Sequence, residues 1–147
     1  MADEVGILPS IPDSIVPPGK YKAILDKIDE YTVSDQGEGK WAGKLACRWR
    51  FVIRGGDFDG HQVTRITIMP FYPGYEPVEA ELLQKCWKFG ETVTALCGGA
   101  YPGGLAWEGI RRQLIGTECD ITVVEASYNG KRRNEVTKVE KLEGMLF

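Results

Sequence analysis

Positively charged side chains occupy four of the six alternate positions between Lys44 and Arg54, and only Ala46 and Val52 are uncharged there. These cations are Lys44, Arg48, Arg50 and Arg54. The stretch contains no carboxylate, although acidic residues outnumber basic ones in the whole chain by 21 to 18. Because successive side chains of a β-strand point to opposite faces, the spacing predicts a strand with one cationic face. Clustered guanidinium and ammonium groups bind phosphates, so the pattern predicts a site for a polyanion, with single-stranded nucleic acid as the first candidate.

The remaining positions of this stretch predict the face that the strand turns to the core. The apolar residues on that face are Leu45, Cys47, Trp49, Phe51 and Ile53. A strand with an apolar inner side and a cationic outer side is typical of the wall of a β-barrel. Trp49 and Phe51 are therefore predicted to lie in the core and not to stack on bases.

The cationic face also has a purely structural explanation. Charged side chains on an exposed edge strand prevent one sheet from pairing with another, and they need no ligand for this. The two explanations make different predictions, because an edge strand of this kind does not bind an oligonucleotide at low salt. A binding face does, and its affinity falls as the salt concentration rises.

The composition fits one globular domain in a reducing compartment. A chain of 147 residues, 43% of them hydrophobic and 27% charged, is long enough to bury a core. The net charge of −3 does not exclude a nucleic-acid ligand, because salt screens each charge beyond about 10 Å and clustered cations act locally. The four cysteines lack zinc-ligand spacing, and Cys47 and Cys119 occupy inward strand positions, which predicts free thiols and no metal or cofactor. Without a secretory signal or a long apolar run, we predict an intracellular protein.

Five strands are predicted, three before a helical segment and two after it. They are Lys20 to Val33, Lys44 to Arg54, Gln62 to Met69, Glu118 to Tyr128 and Asn134 to Leu142. In the first strand the alternation slips near Ile24, which predicts a bulge. Asn129-Gly130 predicts a tight hairpin between the last two strands. Residues 1–18, which contain four prolines, are predicted to be an arm or linker, and residues 143–147 a short tail.

The third strand is predicted to extend the cationic face. If it pairs antiparallel with the second strand, Arg65 and Thr67 lie on the side of the cations. Thr64, Ile66 and Ile68 then lie on the other side. Three helices are predicted between the third and fourth strands: Pro77 to Phe89, ended by Gly90; Glu91 to Cys97; and Leu105 to Ile115.

Two loops carry aromatic residues that are candidates for stacking on bases. Trp41 follows a polar, glycine-containing loop, and two alternatives stay open for it: a hydrophobic plug at the end of the barrel or a stacking platform. Phe71 and Tyr72 lie in a proline-rich loop after the third strand. For these residues the alternative is burial beneath a helix.

The turn between the second and third strands contains potential metal ligands, Asp57, Asp59 and His61. A calcium loop needs a closing glutamate, and Ile68 stands at that position, so a hairpin turn is favoured. His61 is the single histidine of the chain, and no serine or cysteine has a base nearby in the sequence. We therefore predict no catalytic residues and no enzymatic activity.

The order of elements is that of the OB-fold, a five-stranded Greek-key barrel with a helical segment between strands three and four. In that fold, the face of strands two and three and the loops after strands one and four form the binding groove. We predict a domain over residues 19–142 whose nucleic-acid-binding residues are Trp41, Lys44, Arg48, Arg50, Arg65, Phe71, Tyr72, Lys131, Arg132 and Arg133.

The sequence also resembles a bacteriophage family of OB-fold single-stranded DNA-binding proteins, between about Pro17 and Leu142. The resemblance is carried by Pro18-Gly19-Lys20-Tyr21, by Trp49 to Ile53 followed by Gly56 and Gly60, by Leu114-Ile115-Gly116 leading into Cys119 to Val123, and by Tyr128 to Lys131 leading into Asn134 to Val136. It implies sequence-tolerant binding of single-stranded DNA in phage replication or recombination, within the cytoplasm of a bacterial host.

The partners expected on this basis are single-stranded DNA, with RNA as an alternative, replication proteins and further copies of the chain, with no membrane. A different class of function stays open beside this one. The Phe71 to Tyr75 loop and the apolar residues Met145-Leu146-Phe147 are candidates for subunit contacts. An OB-fold with that use would be a protein-interaction or oligomerisation module that binds no nucleic acid.

Overall fold

The structure, a computed structural model, describes residues 15–33, 43–128 and 130–142. These residues form a mainly β unit, as predicted, in which one five-stranded sheet carries its helical segment between the third and fourth strands. The strands are β1 (Gly19–Thr32), β2 (Leu45–Ile53), β3 (Gln62–Ile68), β4 (Glu118–Tyr128) and β5 (Lys131–Lys141). The helices are α1 (Ala80–Leu83), α2 (Trp87–Leu96) and α3 (Trp107–Leu114), with a 3₁₀ turn (Gln84–Cys86) before α2. Residues 1–14, Trp41 and residues 143–147 lie outside the described ranges.

Hydrogen bonds between neighbouring strands close the sheet into a ring in the order β1–β2–β3–β5–β4, with β4 returning to β1. The pairs are antiparallel except β3 and β5, which run parallel and meet at one residue pair, Thr64 and Glu135. We call this weakly paired junction the β3–β5 seam. Since β2 pairs with β1 on one side and with β3 on the other, it is not an edge strand.

Two local features predicted from the sequence are confirmed. The register of β1 against β2 shifts between Leu25 and Lys27, where the slip in alternation predicts a bulge. Tyr128 pairs with Lys131, so the chain reverses between β4 and β5 within the tight turn that the sequence predicts there. The strand β5 therefore begins at Lys131, three residues before the predicted start, and the three consecutive cations lie within a strand.

The core lies inside the ring of strands and is covered by the helices. Trp49 and Phe51 are fully buried, as predicted, and the rings of Phe89 and Trp107 lie 5.9 Å and 6.2 Å from the ring of Trp49. Cys47 and Cys119 are buried free thiols. Burial raises the pKa of both, that of Cys119 to about 12, so neither forms a thiolate at neutral pH.

The predicted face assignment of β3 is wrong. Trp49 pairs with Arg65 across the ladder, and Cys47 pairs with Thr67, so Arg65 and Thr67 share the inner face of the sheet with the core. Ile66 lies opposite Arg48 on the outer face and is 46% exposed. A strand shows alternate residues to each face, so the pairing register, and not the polarity of Arg65, decides its side.

The predicted helix boundaries also need correction. The helix α2 continues through Gly90, where the prediction ended one helix and began another. Phe89, Val93 and Leu96 bury one stripe of α2 against the sheet, and this burial outweighs the roughly 1 kcal/mol by which glycine disfavours a helix. Leu83 and Leu105, apolar residues that fall within two of the predicted helices, are exposed.

The segment before β1 is partly held by the sheet. Val16 is fully buried, and its backbone N–H donates to the side-chain oxygen of Asn134 at 2.8 Å. The amide of Asn134 donates in turn to the carbonyl of Val16 at 2.9 Å. The part of the predicted arm nearest to β1 therefore packs with the sheet. No helix formed by the described residues combines the length and the apolar character needed to cross a membrane.

Candidate nucleic-acid interface

The outer side of β2 presents Arg48 and Arg50 on a surface shared with β1 and β3. Arg48 is exposed and Arg50 partly exposed, and the register sets them opposite Ile66 and Thr64 of β3. Residues two apart on a strand point the same way, so the two guanidinium groups lie on one side of the sheet. We call this surface, with the outward residues of β1 and β3 beside it, the outer face.

Neither of these arginines forms a salt bridge within the described part of the chain. The carboxylate nearest in register is Asp29, which lies opposite Arg48 but forms its own pair with Lys27 at 3.6 Å. The guanidinium carbon of Arg48 instead lies 5.4 Å from the ring centroid of Tyr31. This cation–π contact holds Arg48 against an aromatic surface while its N–H donors stay open to a ligand.

Lys44 and Tyr72 are brought together, as a binding surface requires. The ammonium nitrogen of Lys44 lies 4.9 Å from the ring centroid of Tyr72. The hydroxyl of Tyr72 donates to Oε1 of Glu79 at 2.7 Å. This hydrogen bond raises the pKa of Tyr72 and lowers the pKa of Glu79, so the ring is fixed between a cation and a carboxylate.

Phe71 does not join this surface. Its ring is half-buried against the core and lies 5.9 Å from the ring of Tyr75. With Leu105 and Trp107, it lines an apolar cleft of about 280 Å³ whose described lining contains no cation. Phe71 is therefore placed as the alternative interpretation predicts, packed next to a helix, and we remove it from the candidate interface.

The three consecutive cations of β5 divide between two faces. Arg132 alternates to the side of Glu125 and forms an ion pair with it, and this pairing lowers the pKa of Glu125. Lys131 and Arg133 point the other way and are both exposed. Arg133 donates to Oε1 of Glu135 at 2.8 Å and lines a groove that runs along the β3–β5 seam.

Arg65 is buried and does not belong to the outer face, contrary to the prediction. It is 3% exposed, and its guanidinium group donates to Oε1 of Glu91 at 3.0 Å and to the hydroxyl of Thr92 at 3.1 Å, both on α2. It also donates to the carbonyl of Thr137 on β5 at 3.3 Å. Arg65 thus ties together three elements where the backbone ladder between β3 and β5 is missing.

Sequence reasoning missed Trp87, the first residue of α2. Its ring is 57% exposed, beside the ammonium nitrogen of Lys88 at 5.7 Å. Trp87 and Ile66 line the seam groove together with Arg133. The available signal was its place outside the apolar stripe of its helix, between Lys85 and Lys88.

The remaining candidates are the potential metal ligands of the turn after β2 and Trp41. In the turn after β2, Asp59 accepts a hydrogen bond from the backbone N–H of Gly55 at 2.6 Å, and His61 contacts the carbonyl of Phe58 at 3.1 Å. These contacts are those of a hairpin turn. Trp41 falls outside the described ranges, so its two alternatives stay as the sequence leaves them.

Comparison with known proteins adds no family assignment: no family model matches the chain, and no curated protein matches it.

Proposed function

We propose that this chain is a sequence-nonspecific single-stranded DNA-binding protein with an OB-fold barrel. The order of strands around the ring and the helical segment between β3 and β4 support that fold. The resemblance to phage single-stranded DNA-binding proteins favours a role in replication or recombination inside a bacterial host. RNA is the alternative ligand, since phosphate and stacking contacts are common to both polymers.

One observation carries the proposal: Arg48 and Arg50 project from a strand that has neighbours on both sides. Charges that block aggregation belong on edge strands, where backbone groups are unpaired. β2 pairs with β1 from Leu45 to Ile53 and with β3 from Ala46 to Val52, so its two arginines have no edge to protect. Anion binding explains why two arginines that have no carboxylate partner among the described residues lie side by side there.

In the proposed mechanism, cations bind the phosphates and aromatic rings stack on the bases. Arg48, Arg50 and Lys44 neutralise phosphates and release bound counterions, which makes affinity fall with salt. Tyr31 and Tyr72 lie beside two of these cations and provide flat surfaces on which bases stack. Stacking on aromatic rings is worth about 1–3 kcal/mol per base and is insensitive to sequence, because every base has a π-face.

The test is a double charge reversal with a matched control. Arg48→Glu with Arg50→Glu is expected to abolish binding of a fluorescent oligothymidine at low salt, with an almost unchanged melting temperature. The control, Arg112→Glu with Lys138→Glu, reverses two exposed cations on α3 and on another part of β5. Each reversal changes the charge by two, so both doubles move the formal net charge from −3 to −7. Equal loss of binding in the two double variants would show that net charge alone causes the loss, and would refute binding at the outer face.

A protein-interaction or oligomerisation module is the second candidate, and the apolar cleft favours it. Leu83, Tyr101 and Leu105 line that cleft and are all exposed. Exposed apolar patches of this kind mark contact surfaces on many proteins. Light scattering with and without oligothymidine separates the two: assembly that needs no oligonucleotide, in a chain that binds none, would replace the first proposal by the second.

A further inference from the structure

Trp87 is the one large apolar residue of α2 that the helix turns away from the core. Phe89, Val93 and Leu96 on the same helix are almost fully buried, whereas 57% of Trp87 is exposed. The neighbouring Ile66 of β3 is 46% exposed. Two adjacent apolar side chains left in water point to a ligand or partner that covers them.

These residues line the seam groove, which is continuous with the outer face. The groove has a volume of about 560 Å³, and its lining includes Ile66 of β3, Arg133 of β5 and Trp87 of α2. Ile66 pairs with Arg48 in the β2–β3 ladder, and Thr64, which also lines the groove, pairs with Arg50. Since adjacent strands are about 4.8 Å apart, a ligand on the outer face of β2 reaches the groove by crossing β3 alone.

The charges around the groove favour a polyanion as its occupant. The ammonium nitrogen of Lys88 lies 5.7 Å from the Trp87 ring, and Lys85 is exposed one turn before it. Two of the described carboxylates, Glu135 in the groove lining and Glu91 on α2, are each paired with an arginine. Glu135 pairs with Arg133 at 2.8 Å, and Glu91 pairs with buried Arg65 at 3.0 Å. Exposed rings bordered by ammonium groups are the surface that single-stranded nucleic acid recognises.

We propose that Trp87 is a base-stacking platform, and that a bound single strand continues from the outer face over Ile66 into the seam groove. This inference rests on the proposed function and adds to it the path of the strand. Trp87 then contributes to the affinity for oligonucleotides long enough to reach it from Arg48 and Arg50, and contributes nothing to the affinity for shorter ones.

The experiment compares oligothymidines of about 4 and about 12 nucleotides, within the range of site sizes found for OB-folds. Trp87→Ala in the full chain is expected to weaken binding of the longer oligonucleotide about tenfold and to leave the shorter one unchanged, because one stacking contact is lost. Trp87→Phe keeps an aromatic ring and is expected to retain most of the affinity. Tyr101→Ala is the matched control, since Tyr101 is 53% exposed but lies in the cleft whose described lining has no cations.

Salt dependence separates the ring from the charges beside it. Trp87→Ala is expected to lower the affinity without changing the slope of log affinity against log salt. Lys88→Ala is expected to reduce that slope by about 0.7, the value for one phosphate contact on a single strand. In the wild-type chain, oligothymidine is expected to quench more tryptophan emission than in Trp87→Phe, which tests the stacking without truncating the side chain.

Each alternative outcome is decisive. If the wild-type chain binds the longer oligonucleotide and Trp87→Ala binds it equally tightly, the platform is refuted while the proposed function stands. If Trp87→Ala converts an assembly into monomers without weakening binding, Trp87 is a contact between copies and the inference is again refuted. If the wild-type chain binds neither oligonucleotide, both the proposed function and this inference fall.

Discussion

The outer face of β2 and the β3–β5 seam use arginine in opposite ways, although they lie on adjacent strands. Arg48 and Arg50 project to the outside and form no salt bridge within the described residues. Arg65 is buried, and its donors are occupied by α2 and β5. The difference teaches that residue type does not decide whether an arginine is open to a ligand, because the strand register and packing decide whether its donors are occupied.

The seam needs a buried arginine because its strands barely pair. β3 and β5 meet at one bridge, so backbone groups beyond Thr64 and Glu135 lack ladder partners there. The Arg65 guanidinium group satisfies the Thr137 carbonyl and the Glu91 carboxylate together, and Oε1 of Glu91 also accepts the backbone N–H of Val139 at 3.3 Å. The Arg65–Glu91 pair thus bonds two backbone groups of β5, the Thr137 carbonyl through Arg65 and the Val139 N–H through Glu91.

The largest expected effect is on stability, when Arg65 at the seam is removed and compared with Arg50 on the outer face. Arg65→Ala removes the cation that pairs with the Glu91 carboxylate and the donor to the Thr137 carbonyl, so the free energy of unfolding is expected to fall by about 3 kcal/mol. Arg50→Ala, on the outer face, is expected to change it by less than about 0.5 kcal/mol. Urea denaturation at neutral pH measures both, and equal losses in the two variants would abolish the distinction.

Chemical labelling of the Cys47 thiol measures the loss of stability in Arg65→Ala without denaturant. It lies on the inner face of β2, and burial raises its pKa far above the ordinary range, with the Glu30 carboxylate adding to the effect. The thiolate is the reactive form, so a thiol reagent labels Cys47 only when the sheet opens. Labelling of Cys47 is expected to be much faster in Arg65→Ala than in Arg50→Ala.

Neutralising the outer face tests the other half of the comparison. Arg48→Ala with Arg50→Ala is expected to reduce the slope of log affinity for oligothymidine against log salt by about 1.4, since each phosphate contact contributes about 0.7. Arg65→Lys, which is expected to destabilise the seam, should leave this slope at the wild-type value as long as the chain is folded. A reduced slope in Arg65→Lys would show that Arg65 contacts phosphate after all.

The smallest expected effect concerns the acid that borders the outer face. Asp29 lies opposite Arg48 in the β1–β2 ladder, and its negative charge opposes an approaching phosphate. Asp29→Asn is therefore expected to tighten binding about twofold at low salt, with the gain disappearing at high salt because exposed charges are screened. The exposed pair with Lys27 at 3.6 Å adds little to stability, so the melting temperature should not move. Weaker binding by Asp29→Asn would place the ligand away from this face.

Local patterns were sufficient to predict β2 to within one residue at each end. Its alternation placed Trp49 and Phe51 in the core and Arg48 and Arg50 outside, and both assignments hold because the two faces of a strand are fixed once one residue is buried. The β1 bulge and the hairpin at Gly130 followed from a slip in alternation and from turn chemistry. All of these depend on neighbours in the chain.

The seam and its groove depend on residues far apart in the sequence. Arg65 has the polarity of a surface residue, and only the pairing of β3 with β2 turns it inward, toward Glu91 at a separation of 26 residues. Trp87 has the apolarity of a core residue, and only the way α2 packs leaves it in water beside Ile66. In both cases residue type pointed to the wrong side.

The amino-acid sequence alone therefore indicates a mainly β chain and a strand with an apolar inner face and a cationic outer face. It does so because alternation along a strand is a short-range property that two or three neighbours define. Which arginines stay free, and where an aromatic ring meets them, follows from the ladder register and from helix packing. Those are long-range arrangements, in which one residue of shift exchanges the two faces of a strand.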